Sequence, residues 1–299
     1  MKNVSFQKII AGVVFLLFCK AAPATLMGIS SSVGTVSGSD TETLSVYRID
    51  AATGAVTLAT STQIFGRLLG ATFLDNELYV SNVAIGGPGP GGGLIGPSVV
   101  GTIDLSSGAF TQVNTQGGDI NWSGLASTVS AELLYSVDGQ NHLLRSMTKN
   151  GVISTVGPSI SMDGLALDDD HGILYGLALN AAFTELLLYT LDEITGEAHL
   201  IGPTGIDCQR QFPCPSGLAY DEFNDILYAN VAPRASTVAG ISSLYRIDSS
   251  TGSATLIGPN GVGRIEGLAW VPVPEPSTLA LLSLGLAGLG FTRRKLMTK

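Results

Sequence analysis

Two carboxylates, Asp163 and Glu266, each stand immediately before a Gly-Leu-Ala tripeptide, Gly164-Leu165-Ala166 and Gly267-Leu268-Ala269. A pair of carboxylates separated by roughly 5–10 Å is what glycoside hydrolysis uses as acid and base or nucleophile. In the other copies of the tripeptide the same place is taken by Leu69, Ser123 and Ser216. Arg67, Asn121, Trp122, Met162 and Arg264 stand beside these positions. The tripeptide is kept while the residues before it vary, and variation on a constant frame is how a scaffold carries a specific site. The other reading is a set of solvated polar residues that share no ligand.

Two turns are acidic, Asp168-Asp169-Asp170-His171-Gly172 and Asp221-Glu222-Phe223-Asn224-Asp225. Clustered carboxylates can hold Ca²⁺, yet Asp and Asn are also the residues that tight turns prefer, and no EF-hand spacing is present. Cys208 and Cys214 enclose Gln-Arg-Gln-Phe-Pro. In an oxidising compartment that spacing reads as a disulfide clamping a loop; a metal site would want His partners nearby. Gly91-Gly92-Gly93-Leu94-Ile95-Gly96 ends a Pro/Gly run with no helix after it, so it is not a dinucleotide loop. Gly-x-Ser-x-Gly, a Walker loop and His-Glu-x-x-His are all missing from the sequence. His142, His171 and His199 fall at unrelated points. No resident metal or cofactor is expected from these residues, calcium in the acidic turns being the one alternative.

The elements that must position these groups repeat along the chain. One phrase is a strand, a turn and a strand, best seen in Leu244-Tyr245-Arg246-Ile247-Asp248 followed by Thr251-Gly252 and Thr255-Leu256-Ile257-Gly258. Its copies centre on Gly54, Gly108, Gly151 and Gly196, where glycine supplies the positive φ of a hairpin. The other phrase is Gly-Leu-Ala, a short polar turn and Leu-Tyr, as in Gly124…Tyr135, Gly164…Tyr175 and Gly217…Tyr228, with Gly70…Tyr79 diverged. A fifth copy starts at Gly267 and stops before any Leu-Tyr. Its missing half is Leu26-Met27-Gly28-Ile29, which mimics Leu174-Tyr175-Gly176-Leu177. Four strands per unit, and 40 to 56 residues between equivalent glycines, predict a β-propeller blade. The fold class is therefore all-β: a five-bladed β-propeller over 25–272 in which one strand from the C-terminal end and three from the N-terminal end complete a single blade.

These repeats resemble the quinoprotein-like and YVTN-type bacterial propellers. The resemblance implies that Gly-Leu-Ala is the innermost strand, lining a central channel. Leu-Tyr is then second, Tyr-x-Ile-Asp third and Thr-Leu-Ile-Gly outermost. The candidate ligand-binding residues Arg67, Asn121, Trp122, Asp163, Arg264 and Glu266 then lie at one mouth of the channel. The tryptophans that mark quinoprotein blades are absent, so no quinone is carried over.

The two ends read as processing signals. Lys2 and Lys8 precede a ten-residue apolar run, Ile9 to Phe18, and Ala22-Pro23-Ala24 offers a signal peptidase its small-x-small site, giving a signal peptide over 1–24. A lipoprotein signal at Cys19 would want a small residue where Phe18 stands. At the other end, over 273–299, Pro274-Glu275-Pro276 precedes an apolar stretch from Leu279 to Phe291 and then Arg293-Arg294-Lys295. This resembles the PEP-CTERM sorting signal of Gram-negative bacteria that export exopolysaccharide. The resemblance implies recognition by an exosortase, a membrane-embedded transpeptidase or protease. The apolar stretch makes a short transmembrane helix, with the arginines held cytoplasmic and the body outside the inner membrane. An ordinary C-terminal anchor would leave that orientation unchanged.

Composition supports the same picture. Of 15 basic residues, three sit in the first 20 residues and four in the last seven, leaving eight against 24 acidic ones between, a net charge of −16. Such a body repels phosphate backbones, which excludes nucleic acid as a partner. The expected function is that of an exported, exosortase-sorted cell-surface or matrix protein, a non-enzymatic binding or structural module associated with exopolysaccharide. Its partners are then signal peptidase and exosortase during export, the inner membrane transiently, and the polysaccharide. A glycoside hydrolase or lyase and a calcium-stabilised adhesin are the alternatives.

Overall fold

A computed structural model describes residues 24–31, 41–65, 67–85, 94–113, 122–208, 216–231 and 241–271. The signal residue Ala22, Asn121, Cys214 and the sorting residues Pro274, Glu275, Pro276, Arg293 and Arg294 lie outside them. The described residues form twenty strands and no helix.

The strands make five four-stranded antiparallel sheets. The second blade holds β4 (Arg67–Leu74), β5 (Glu77–Ile85), β6 (Leu94–Ile103) and β7 (Phe110–Gln112). The third holds β8 (Trp122–Thr128), β9 (Leu133–Asp138), β10 (Leu143–Thr148) and β11 (Ile153–Pro158). The fourth holds β12 (Gly164–Asp168), β13 (Ile173–Leu179), β14 (Glu185–Leu191) and β15 (Ala198–Asp207), and the fifth β16 (Ser216–Asp221), β17 (Ile226–Val231), β18 (Ser243–Ile247) and β19 (Ala254–Pro259). The remaining sheet joins the two ends of the chain in the order β20 (Gly267–Val271), β1 (Thr25–Ser31), β2 (Thr41–Ile49) and β3 (Val56–Phe65).

This closing blade repeats the register of the others. The Glu266 N–H donates to Ile29 O at 2.9 Å as the Asp163 N–H donates to Leu177 O at 2.8 Å. Gly28 faces Tyr47 as Gly176 faces Tyr189. The sequence mimicry between the N-terminal strand and the fourth blade is thus a structural equivalence.

Gly-Leu-Ala strands converge on the axis, as expected, and their glycines are a matter of space. A Cβ at Gly70 would come within 2.7 Å of Gly124 Cα, and one at Gly217 within 2.6 Å of Leu268 N. Neighbouring inner strands therefore touch backbone to backbone. Strands two places apart, β4 with β12 or β16 and β8 with β16, also approach within 8 Å from Cα to Cα, so the axial passage is narrow.

The core is divided among the five interfaces between blades. Tyr175, Leu188, Leu218 and Leu227 fill the layer between the fourth and fifth blades, for example. Met27, Leu44, Leu68 and Val80 fill that between the closing and second ones. Each apolar face is buried only by the next blade, which is why the chain has to close into a ring.

A second device locks the blades at their outer edges. At Gly54, Gly108, Gly151, Gly196 and Gly252 the hairpin glycines have φ between 75° and 82°. Before each of four hairpins an Asp accepts two turn N–H groups: Asp50 from Ala52 and Thr53, Asp104 from Ser106 and Ser107, Asp192 from Ile194 and Thr195, Asp248 from Ser250 and Thr251. Donation from the hydroxyl and N–H of Ser106 and Ser107 holds the Asp104 carboxyl down at about 2. The hairpin tips dock on the neighbouring outer strand at Gly157, Gly202 and Gly258, where the next blade's Thr195, Thr251 and Thr53 carbonyls approach.

Candidate functional site

Leu26–Val271 forms one compact unit, and its two ends differ. Inner strands begin at one end, where the strands joined by 32–40, 86–93, 113–121, 208–215 and 232–242 also end and begin. This is the loop end. Inner strands finish at the other, where tight turns such as Asp75-Asn76 and 222–225 lead into the second strands. This is the turn end.

At the loop end, Glu266 is 3% exposed and accepts an ion-pair hydrogen bond from Arg264 Nη2, a guanidinium 20% exposed along its side chain. The loop that carries them is tied down by Ser242. Its hydroxyl donates to Gly263 O at 2.9 Å and accepts the Ile265 N–H at 2.7 Å, while the Asn260 N–H donates to Ser242 O at 2.8 Å. A carboxylate withdrawn from water and neutralised by a fixed guanidinium is an organising group for the loop.

Asp163 is half-buried before β12. In the ring β16 stands between β12 and β20, since β16 contacts both, so Asp163 and Glu266 do not occupy neighbouring strands. Arg67 is the first residue of β4. Trp122, the first residue of β8, is fully buried with Leu74, Tyr79, Val100, Leu125 and Met147. Its ring is part of the layer between the second and third blades and presents no face to a ligand. The structure thus brings Arg264 and Glu266 together and sends Trp122 into the core. Cys208 is buried and disulfide-bonded.

A polar network that the repeat pattern does not reveal joins this end to the blades. Asp138, buried at the end of β9, accepts the N–H groups of Gln140 and Asn141, the Asn141 amide and Arg145 Nη2 at 3.2 Å. Asn230 donates to Asn260 at 2.6 Å, and Asn260 to Gly54 O at 2.8 Å, tying the fifth blade to the closing one. The only sequence signal for either is an amide or acid where the alternating pattern asks for an apolar residue.

At the turn end the acidic clusters are engaged as caps. Asp168 accepts the His171 N–H at 3.0 Å and meets its Nδ1 at 2.9 Å, and Asp221 accepts from Phe223 and Asn224. Asp168 raises the His171 imidazole above its ordinary value. Asp169 reaches back to the third blade, accepting the Val129 and Ser130 N–H groups at 3.0 and 3.1 Å. Glu222 in turn reaches back to the fourth, accepting the Asp169 N–H at 2.7 Å. Among the described residues, no group of three or more His, Cys, Asp or Glu side chains converges as a metal site.

Desolvation pushes the Glu222 carboxyl up to about 7, against the donating Asp169 N–H, with the charges of Asp168 and Asp170 adding to it. A carboxyl raised by folding stabilises below its ordinary value, and that contribution is lost as pH climbs through the folded value. The melting temperature is therefore expected to fall between pH 5 and pH 8. Glu222→Gln, which keeps the acceptor and removes the charge, is expected to flatten that fall. Parallel thermal melts of both proteins decide it, and an unchanged slope in Glu222→Gln refutes the assignment.

The geometry defines the class of protein first: a five-bladed β-propeller closed by its first and last described strands. Among solved structures the chain is similar to one in a nidogen/laminin complex, with a TM-score of 0.52 and 12% identity over 84% of this chain and 99% of that one. It is similar also to TolB from Acinetobacter baumannii (TM-score 0.43, 15% identity, 78% of this chain and 54% of that one). A third is a protein of unknown function from Bacteroides caccae (TM-score 0.44, 10% identity, 83% of this chain and 99% of that one). The 12% identity of the first carries the fold and nothing more. No curated protein matches the chain.

The particular protein is set by its C-terminal segment, where residues 272–295 match the PEP-CTERM protein-sorting motif. That motif implies an exosortase-sorted protein exported to the cell envelope or surface, here with a propeller body. No helix among the described residues is long and apolar enough to cross a membrane, and the apolar stretch 279–291 lies outside them.

Proposed function

We propose that the protein is a non-enzymatic binding module of the envelope or extracellular matrix of a Gram-negative bacterium, which holds exopolysaccharide at the loop end of its ring. Signal peptidase removes 1–24 after Ala24, and the stretch 279–291 holds the chain in the inner membrane until exosortase acts. The Cys208 disulfide closes on Cys214 and clamps the connection before β16.

One observation carries the reading of the site. Glu266, one of the two carboxylates placed to do acid–base work, is buried and ion-paired with Arg264. Paired glycosidase carboxylates need one group free to give a proton and one free to attack or activate water. Five connections of eight to eleven residues enter and leave at the same end, which is where a scaffold of constant strands carries variable recognition.

A glycan array probed with the purified exported protein, run beside a reducing-sugar release assay, tests it. Binding to one or more matrix-type polysaccharides without sugar release is the expected result. Release of reducing ends that Glu266→Gln or Asp163→Asn abolishes would overturn it in favour of a hydrolase.

A further inference from the structure

The closing strand and the sorting motif meet with no linker between them. Val271, the last residue of β20, takes the position that Asp168 and Asp221 hold in the fourth and fifth blades, as the shared register of Glu266 and Asp163 requires. The chain therefore leaves the ring at its turn end, among the turns that link first and second strands. Pro274 follows Val271 by three residues, a reach of at most about 10 Å for extended chain.

We infer that the turn end of the folded ring is a docking surface for the sorting enzyme. An enzyme that grips Pro274-Glu275-Pro276 works beside the exit, which the turns Asp75-Asn76 of the second blade and 222–225 of the fifth flank, since β20 neighbours β4 and β16. The fifth-blade turn carries Phe223, which is 89% exposed at its tip, beside Asn224. A phenyl ring so placed has no role in the core layer between the fifth and closing blades, which is filled from Tyr228, Leu244, Ile265 and Leu268. It is positioned to seat against an apolar lip of a membrane-embedded enzyme. The surrounding surface is acidic, with Asp170 and Asp225 exposed, so the complementary rim is basic. The inference rests on the reading of 272–295 as an exosortase substrate and adds the body of the protein to what that enzyme contacts.

The test follows processing of the full chain by mobility shift in cells that carry the sorting enzyme. Phe223→Ser is expected to slow processing about tenfold, the effect of losing one buried phenyl ring from a contact, with an unchanged melting temperature. Ile194→Ser, which removes an equally exposed side chain (85%) from the outer hairpin of the fourth blade, is expected to be processed as wild type. Twelve Gly/Ser residues inserted after Val271 are expected to make the rate indifferent to Phe223. Wild-type processing of Phe223→Ser at native length, or equal slowing by Ile194→Ser, would overturn the docking surface. Processing that survives Pro274→Ala with Pro276→Ala would instead overturn the sorting reading beneath it.

Discussion

A chain ending at Glu266 is expected to lose its cooperative unfolding transition, while one ending at Val271 keeps it. The five residues between them are β20, and they serve two interfaces at once. Leu268 packs with Leu26, Ala219, Tyr228 and Ile265 between the fifth and closing blades, and Trp270 stacks on Tyr228 with ring centroids 5.9 Å apart. Ala269 packs with Met27, Ile29 and Leu68 on the other side. Removing the strand exposes these partners, strips β1 of its inner neighbour and opens the ring. Each large apolar side chain returned to water costs about 1.5–3 kcal/mol, and several are returned against a net stability of roughly 5–15 kcal/mol. Circular dichroism melts and limited proteolysis of the two truncations decide the matter. A Glu266-terminated chain that melts within a few degrees of the longer one would mean that the ring does not depend on its seam.

That dependence was legible in the sequence, and for a definite reason. A blade is a local unit whose hairpin glycines and small inner-strand residues recur because each blade meets the same steric demand, so self-comparison finds them. The half-unit at each end follows from the same demand. What the pattern leaves out are contacts made once. The sequence offers Arg264 and Glu266 as candidates, but their pairing depends on a loop folded around Ser242, 22 residues before Arg264, and no repeat echoes it. Trp122 stands next to a variable position, yet strand alternation turns its ring into the core. The acidic turns suit calcium and simple capping equally by sequence because Asp serves both; the N–H groups aimed at Asp168, Asp169 and Asp221 are contacts that only the fold brings together. The glycine that closes the Thr-Leu-Ile-Gly phrase at Gly258, and its equivalents Gly157 and Gly202, serve the neighbouring blade, whose hairpin carbonyls approach them.

Gly157→Ala puts that purpose to the test and carries the largest expected effect of any single substitution considered. A Cβ at Gly157 would stand 1.9 Å from Thr195 O of the next blade, against 2.3 Å at Gly202 and Gly258 from Thr251 O and Thr53 O. The obstacle is a main-chain carbonyl, so no rotamer relieves it. The hairpin that bears it is itself held, since Asp192 accepts the N–H groups of Ile194 and Thr195 and its carbonyl accepts that of Gly196. Relief requires the third and fourth blades to separate, and overpacking of this kind costs about 3 kcal/mol. For a ring of this size that is a fall in melting temperature of roughly 6–12 °C. Gly172→Ala provides the contrast. Gly172 has a φ of 64° and open space around its Cβ position, so only backbone strain of about 1–2 kcal/mol applies. Calorimetry on the two variants separates the effects. A Gly157→Ala protein no less stable than Gly172→Ala would show that the outer hairpins do not bear on their neighbours, and that the inner strands and the apolar layers hold the ring unaided.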